Sequence, residues 1–162
     1  LTYSGEKINK KQPVLFHHAD RKEFSIPNLD YAQLEDSFDE LELLGFTLGN
    51  PFNFIKDKLK RHILVKDLHK WVNRTVRMYG YLVTVKNTKT SNRKRMNFGT
   101  FLDQEGEFID TVHFPNAANQ YPFRGKGVYE IIGKVTEEFD FLTIEVTRMK
   151  KTDLKVDPRY AE

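Results

Sequence analysis

Cysteine does not occur anywhere in the 162 residues. That excludes a disulfide scaffold and thiolate metal sites, and it suits a reducing compartment. Long apolar runs are missing as well. Nothing approaches the ~18 residues that a membrane-spanning helix needs, and no signal-peptide pattern opens the chain. No membrane partner is therefore expected, and a cytoplasmic setting is. The histidines lack metal-site spacing. His17 and His18 would splay to opposite sides of an extended chain, and His62, His69 and His113 do not fall at i, i+4 on one helix. No metal and no cofactor is expected. A Gly-rich phosphate loop, a nucleophile elbow and a Ser/His/Asp arrangement are also missing. No catalytic residue is assigned, and these residues read as non-enzymatic. The first residue is Leu1 rather than Met, so a piece of a longer protein is expected.

Net charge is scarce too, only +3, but it is unevenly spread. Residues 1–55 hold 5 basic and 9 acidic side chains, a net −4. Residues 56–95 hold 13 basic and 2 acidic, a net +11, and residues 96–162 hold 8 basic and 12 acidic, again −4. All the net positive charge sits in one stretch, the footprint expected of a polyanionic partner and of nucleic acid above all. Hydrophobic content of 39% and aromatic content of 13% are enough to build a core, which excludes wholesale disorder.

Four parts follow from the pattern. Residues 1–27 are polar, and Pro13 biases Gln12 away from helix, so an extended segment is expected. Residues 28–73 read as a helical connector. Asn28 or Asp30 can cap a helix carrying Leu34, Phe38, Leu41 and Leu44 on one face and Glu35, Asp36, Asp39, Glu40 and Glu42 on the other, with Gly45 as its stop. Asn50-Pro51 is a second start signal, leading Phe52, Phe54 and Ile55, and Val65 to Val72 can bury Leu68 and Trp71 in a further turn.

Residues 74–149 read as strands: 74–86, 96–103, 108–114, 127–135 and 141–149, with a short helix at 115–121. Gly80 marks a bulge or tight bend. Residues 150–162 form a charged tail without clear structure. Three strands, a short helix and two strands is the layout of an OB-fold. The expected class is mainly β with a helical N-terminal arm, built on a five-stranded Greek-key barrel.

Such barrels bind oligonucleotides on strands 2–3 and the neighbouring loops. Lys86, Lys89, Arg93, Lys94 and Arg95 fall in and beside the loop 87–95, where cations can track a phosphate backbone. If Val76, Met78 and Leu82 point inward, Tyr79 and Tyr81 point outward. If Phe101 points inward, Phe98 lies on the outer surface, where bases can stack on it. The predicted site is therefore Tyr79, Tyr81, Lys86, Lys89, Arg93, Lys94, Arg95 and Phe98. The acidic flanks are expected to turn away from it. A second candidate is Gln12-Pro13-Val14-Leu15-Phe16, where an adjacent apolar pair on an extended arm needs somewhere to dock.

Two segments are similar to one family. Tyr79-Gly80-Tyr81-Leu82-Val83-Thr84-Val85, Thr88-Lys89-Thr90, Lys94 to Asp103, Gly106 and His113-Phe114-Pro115 resemble the OB domain of the bacterial replicative DNA polymerase III alpha subunit. Glu42-Leu43-Leu44-Gly45-Phe46-Thr47-Leu48 resembles the segment just before that domain, although Gly49-Asn50-Pro51 replaces the usual Ser-Gly-His-Pro and keeps only the proline. The resemblance covers most of 30–150. It implies an accessory, non-catalytic fragment of a polymerase, with single-stranded DNA, the sliding clamp and other domains of the parent polymerase as partners. It also implies that Gln12, Leu15 and Phe16 are a clamp-binding motif, since the family carries a Gln with a terminal apolar pair at this location. Pro13-Val14 departs from the commoner middle residues. Two other readings fit the residues: an RNA-binding OB domain of the anticodon-binding type, and a protein-interaction barrel.

Overall fold

A computed structural model describes Ser25 and residues 34–160. Helix α1 spans Glu35–Leu44. The candidate caps Asn28 and Asp30 lie outside the described residues, and Leu34, in the left-handed region at φ 71°, precedes the first turn. Gly45 ends the helix as expected: it takes φ 74°, and its N–H donates to the Leu41 carbonyl at 3.1 Å. Asn50 caps the next segment, accepting from the Phe52 N–H at 3.0 Å. That segment, Pro51–Phe54, is a single 3₁₀ turn. Phe38 of α1 meets Phe54 edge-on at 5.1 Å. A second 3₁₀ segment, Val65–Trp71, buries Leu68 completely, while Trp71 stays half-buried.

The five strands are β1 (Thr75–Lys89), β2 (Arg95–Leu102), β3 (Phe108–His113), β4 (Val128–Glu138) and β5 (Phe141–Lys151), with helix α2 (Pro115–Gln120) between β3 and β4. They close a barrel in the order β1-β2-β3-β5-β4, with β4 returning to β1. All pairs are antiparallel except β3 with β5. This is the five-stranded OB barrel. Alternation places Val76, Met78, Leu82, Phe101, Ile131 and Ile144 in the interior.

Three expectations change. The bulge in β1 falls between Leu82 and Thr84 rather than at Gly80. Gly80 is required for a different reason: a Cβ there would stand 2.7 Å from the Phe101 Cβ. The loop predicted over 87–95 shrinks to 90–94. Lys86 to Lys89 continue β1, pairing with Phe98 to Arg95. Beyond the barrel mouth the hairpin satisfies its own backbone groups, so polar side chains on both faces carry no burial penalty. The tail is also ordered. Leu154 pairs with Ile55 in an antiparallel bridge, the Lys155 N–H donates to the Phe54 carbonyl at 2.7 Å, and Arg159 reaches Asp39 of α1 at 2.6 Å. Its charged residues hid this, because the pairing is made by the backbone.

Candidate nucleic-acid interface

The bulge after Leu82 resets the alternation of β1. Thr84 and Lys86 then face outward together with Met96, Phe98 and Thr100 of β2 and Asp110 and Val112 of β3. These side chains floor a groove of about 760 Å³ on the outer wall of the barrel. Register sets its order. One row runs Lys86, Phe98, Val112, Glu145 across β1, β2, β3 and β5. The next row is Thr84, Thr100, Asp110, Thr143, Thr136. Within it the Thr100 hydroxyl donates to Asp110 at 2.6 Å, and the Thr136 and Thr143 hydroxyls share a hydrogen bond of 2.8 Å. Phe114, just past β3, adds a second ring.

Two exposed rings line this groove, and two more stand on the neighbouring β4–β5 hairpin. Phe98 is 38% exposed and Phe114 is 44% exposed, whereas Phe101, three residues on from Phe98, is buried in the core. Phe141 opens β5 at 74% exposure and shares the face of Thr143 and Glu145 by alternation. Phe139 stands at the hairpin tip, 94% exposed. It takes φ 51° and Asp140 takes φ 64°, the geometry of a two-residue turn that favours Asn-Gly. A phenylalanine held there costs ~1–3 kcal/mol, a strain that tends to mark binding tips.

The predicted residues part company. Lys86 stands directly opposite Phe98. Lys89 and Arg95 face each other across the hairpin but on the side away from the groove, Arg95 reaching Asn97 at 3.4 Å. Arg93 and Lys94 leave the Ser91-Asn92 turn at the tip, with Arg93 at φ 59°. None of these five cations has a carboxylate partner among the described residues, whereas Lys66, Lys70 and Arg77 of the same basic block are held by Glu105, Asp67 and Glu130. Five cations without a carboxylate partner among the described residues thus ride on one protruding hairpin.

Tyr79 does not stand in solvent. It points out of the barrel but is only 5% exposed, packed with Phe52, Ile55 and Val128 under the connector. Its hydroxyl donates to Glu130 at 3.2 Å and accepts from the Lys60 N–H at 3.4 Å, and burial pushes its phenol pKa up. Tyr81 packs on the same cluster and is half-buried. Alternation predicted their direction correctly, but nothing local shows that the chain at 52–59 folds back over them. The acidic flank is not all turned away either: Asp110, Glu138 and Glu145 line the groove. Carrying the alternation of Phe98 across to β3 would have found Asp110 and Phe114 in the sequence. Glu145 needs the parallel β3–β5 contact, which has no local signal. Gln12, Leu15 and Phe16 lie outside the described residues.

Beneath the ring row is a buried polar cluster, Asn97, Thr111 and His113, each 0% exposed. The Thr111 hydroxyl donates to the Gly99 carbonyl at 2.9 Å, so its oxygen accepts from the Nε2–H of His113 at 3.0 Å. That fixes the neutral tautomer and leaves Nδ1 without a partner among the described residues. Burial draws the His113 pKa down to about 4. Among the described residues no group of three or more His, Asp or Glu could hold a metal ion, and no helix is long and apolar enough to cross a membrane.

No protein-family profile matches the chain, and no curated protein does. Among solved structures, the chain is similar to the protein PriB from Ralstonia solanacearum, with a TM-score of 0.40 at 11% identity over 48% of this chain and 95% of that one. A deletion mutant of the single-stranded DNA binding protein from Thermus aquaticus gives a TM-score of 0.47 at 16% identity, over 52% of this chain and 43% of that one. The second OB-fold domain of replication protein A from Methanococcus maripaludis gives 0.39 at 14% identity, over 53% and 91%.

Proposed function

We propose that this chain is a non-catalytic OB module that binds single-stranded DNA along the groove of β2 and β3, with phosphates drawn to the β1–β2 hairpin. One observation carries the reading: exposed Phe98 lies beside Lys86, at the root of a hairpin whose cations have no carboxylate partner among the described residues. Rings supply sequence-tolerant stacking, and the hairpin supplies salt-dependent attraction. Fluorescence titration with a labelled mixed-base oligonucleotide tests it. Phe98→Ala should weaken binding by ~1–3 kcal/mol, and an unchanged affinity would remove Phe98 from the interface. RNA of the same sequence is the companion probe, since a preference for the 2′-OH strand would favour the anticodon-binding type of domain.

The polymerase setting rests on the resemblance of the Glu42–Leu48 segment and of 79–115. In that setting the chain holds template beside a polymerase, and Gln12, Leu15 and Phe16 dock the sliding clamp. Joining two weak contacts raises the effective concentration of the second. Leu43, Leu44, Phe46 and Leu48 stand exposed in the resembling segment and suit packing by other domains of the parent polymerase. Replacing Leu15 and Phe16 together with alanine should abolish pull-down by a bacterial clamp; retained pull-down would rule the pentapeptide out.

A further inference from the structure

The groove is polarised across its width. Its β1 wall carries Lys86 and opens onto the cationic hairpin, while its far wall carries Glu145 and Glu138, with Asp110 between. Lys86 and Glu145 are three strand steps apart, roughly 14 Å. That is wide enough for a backbone on one side and the base edges on the other. Glu145 is half-buried and has no hydrogen-bond or ion-pair partner among the described residues, although Lys134 neighbours it on β4. Asp110 spends one oxygen on Thr100 and keeps the other. Carboxylates repel phosphate and accept from N–H donors, Glu145 from a half-buried position and Asp110 from an exposed one.

Resting on the single-stranded DNA reading, we propose that the carboxylates of Asp110 and Glu145 select bases by their donor edge, favouring guanine and disfavouring thymine. A strand stacked on Phe98 with its phosphates towards Lys86 directs its base edges at Val112 and Glu145 in the same row. Guanine presents adjacent N1–H and N2–H donors, which a carboxylate can accept together. Cytosine and adenine present one amino group each. Thymine presents a single N–H between two carbonyl oxygens, and those oxygens meet the carboxylates unfavourably. The row of threonine hydroxyls has no such sign, because hydroxyls both donate and accept. The preference therefore belongs to the two acids. It runs against the usual behaviour of non-specific binders, in which stacking alone decides.

Three labelled strands of equal length test this with the whole chain: thymine only, alternating guanine and thymine, and alternating inosine and thymine. The guanine strand should bind about tenfold more tightly than the thymine strand, as one good carboxylate–base pair implies. Inosine, which lacks the N2 amino group, should fall between them. Glu145→Gln should narrow the guanine-to-thymine ratio while raising affinity for the thymine strand, because it removes charge repulsion. Asp110→Asn, which keeps an acceptor for Thr100, should do the same, with melting curves confirming that both variants fold. Equal affinity of the wild-type chain for all three strands overturns this inference and leaves the interface standing. So does a ratio that survives both substitutions. Failure of every strand to bind overturns the interface and the base selection together.

Discussion

His113 sits completely buried at the end of β3, between Val112 and Phe114, two residues that line the groove. Its imidazole can charge in the unfolded chain near pH 6.5 but in the folded protein only near pH 4. Between those values the unfolded state binds more protons, so stability falls as pH is lowered and levels off below about 4. The loss expected from this one group is roughly 3 kcal/mol. Urea unfolding at several pH values should show it, and His113→Gln should flatten the curve over that window. A wild-type curve already flat there would mean that His113 is not buried in its neutral form. Phe98 shows what a single residue can disclose. Its three-residue offset from Phe101 was enough to place it outside the barrel, since strand alternation is a local rule. Tyr79 obeyed the same rule and was misjudged, because its cover comes from residues twenty or more positions earlier.

Among the elements, the β2–β3 turn is held by a residue whose role was hidden. Asp103 is 3% exposed, and its carboxylate accepts from three backbone N–H groups: Val65 at 3.0 Å, Glu105 at 2.8 Å and Glu107 at 3.0 Å. It fastens the turn to the connector. Asp103→Ala would leave those donors buried or poorly solvated and should cost about 2–4 kcal/mol of folding stability in denaturant titrations. A change within a few tenths of a kcal/mol would show the turn to be self-supporting. Strand number, order and the intervening helix were legible from periodicity and turn residues. The exact ends were not: β1 and β5 both run past their apolar stretches, because backbone pairing persists after side-chain burial stops. The tip of the β4–β5 hairpin is acidic, with Glu137, Glu138 and Asp140. Its two exposed rings, Phe139 and Phe141, become meaningful only once that tip is seen beside the groove.

For the molecule as a whole, the +11 stretch of 56–95 is not one patch. Carboxylates hold Lys66, Lys70 and Arg77, whereas Lys86, Lys89, Arg93, Lys94 and Arg95 have no such partner among the described residues and ride on one hairpin. Charge counting found the stretch, and strand reading found the hairpin. The division into held and free cations depended on Glu105, Asp67 and Glu130, of which only Asp67 is a sequence neighbour of its partner. The acidic residues that line the groove were equally invisible to a linear count. The most direct test of the central claim is the salt dependence of binding to a mixed-base single-stranded oligonucleotide, measured for the wild-type chain and for the variant with Arg93, Lys94 and Arg95 replaced by alanine. Wild-type affinity should fall steeply with salt, and the variant should bind more weakly with a log–log slope shallower by ~2, the loss of about three phosphate contacts at ~0.7 each. Binding that is absent, indifferent to salt, or unchanged in slope by the triple substitution would contradict the account.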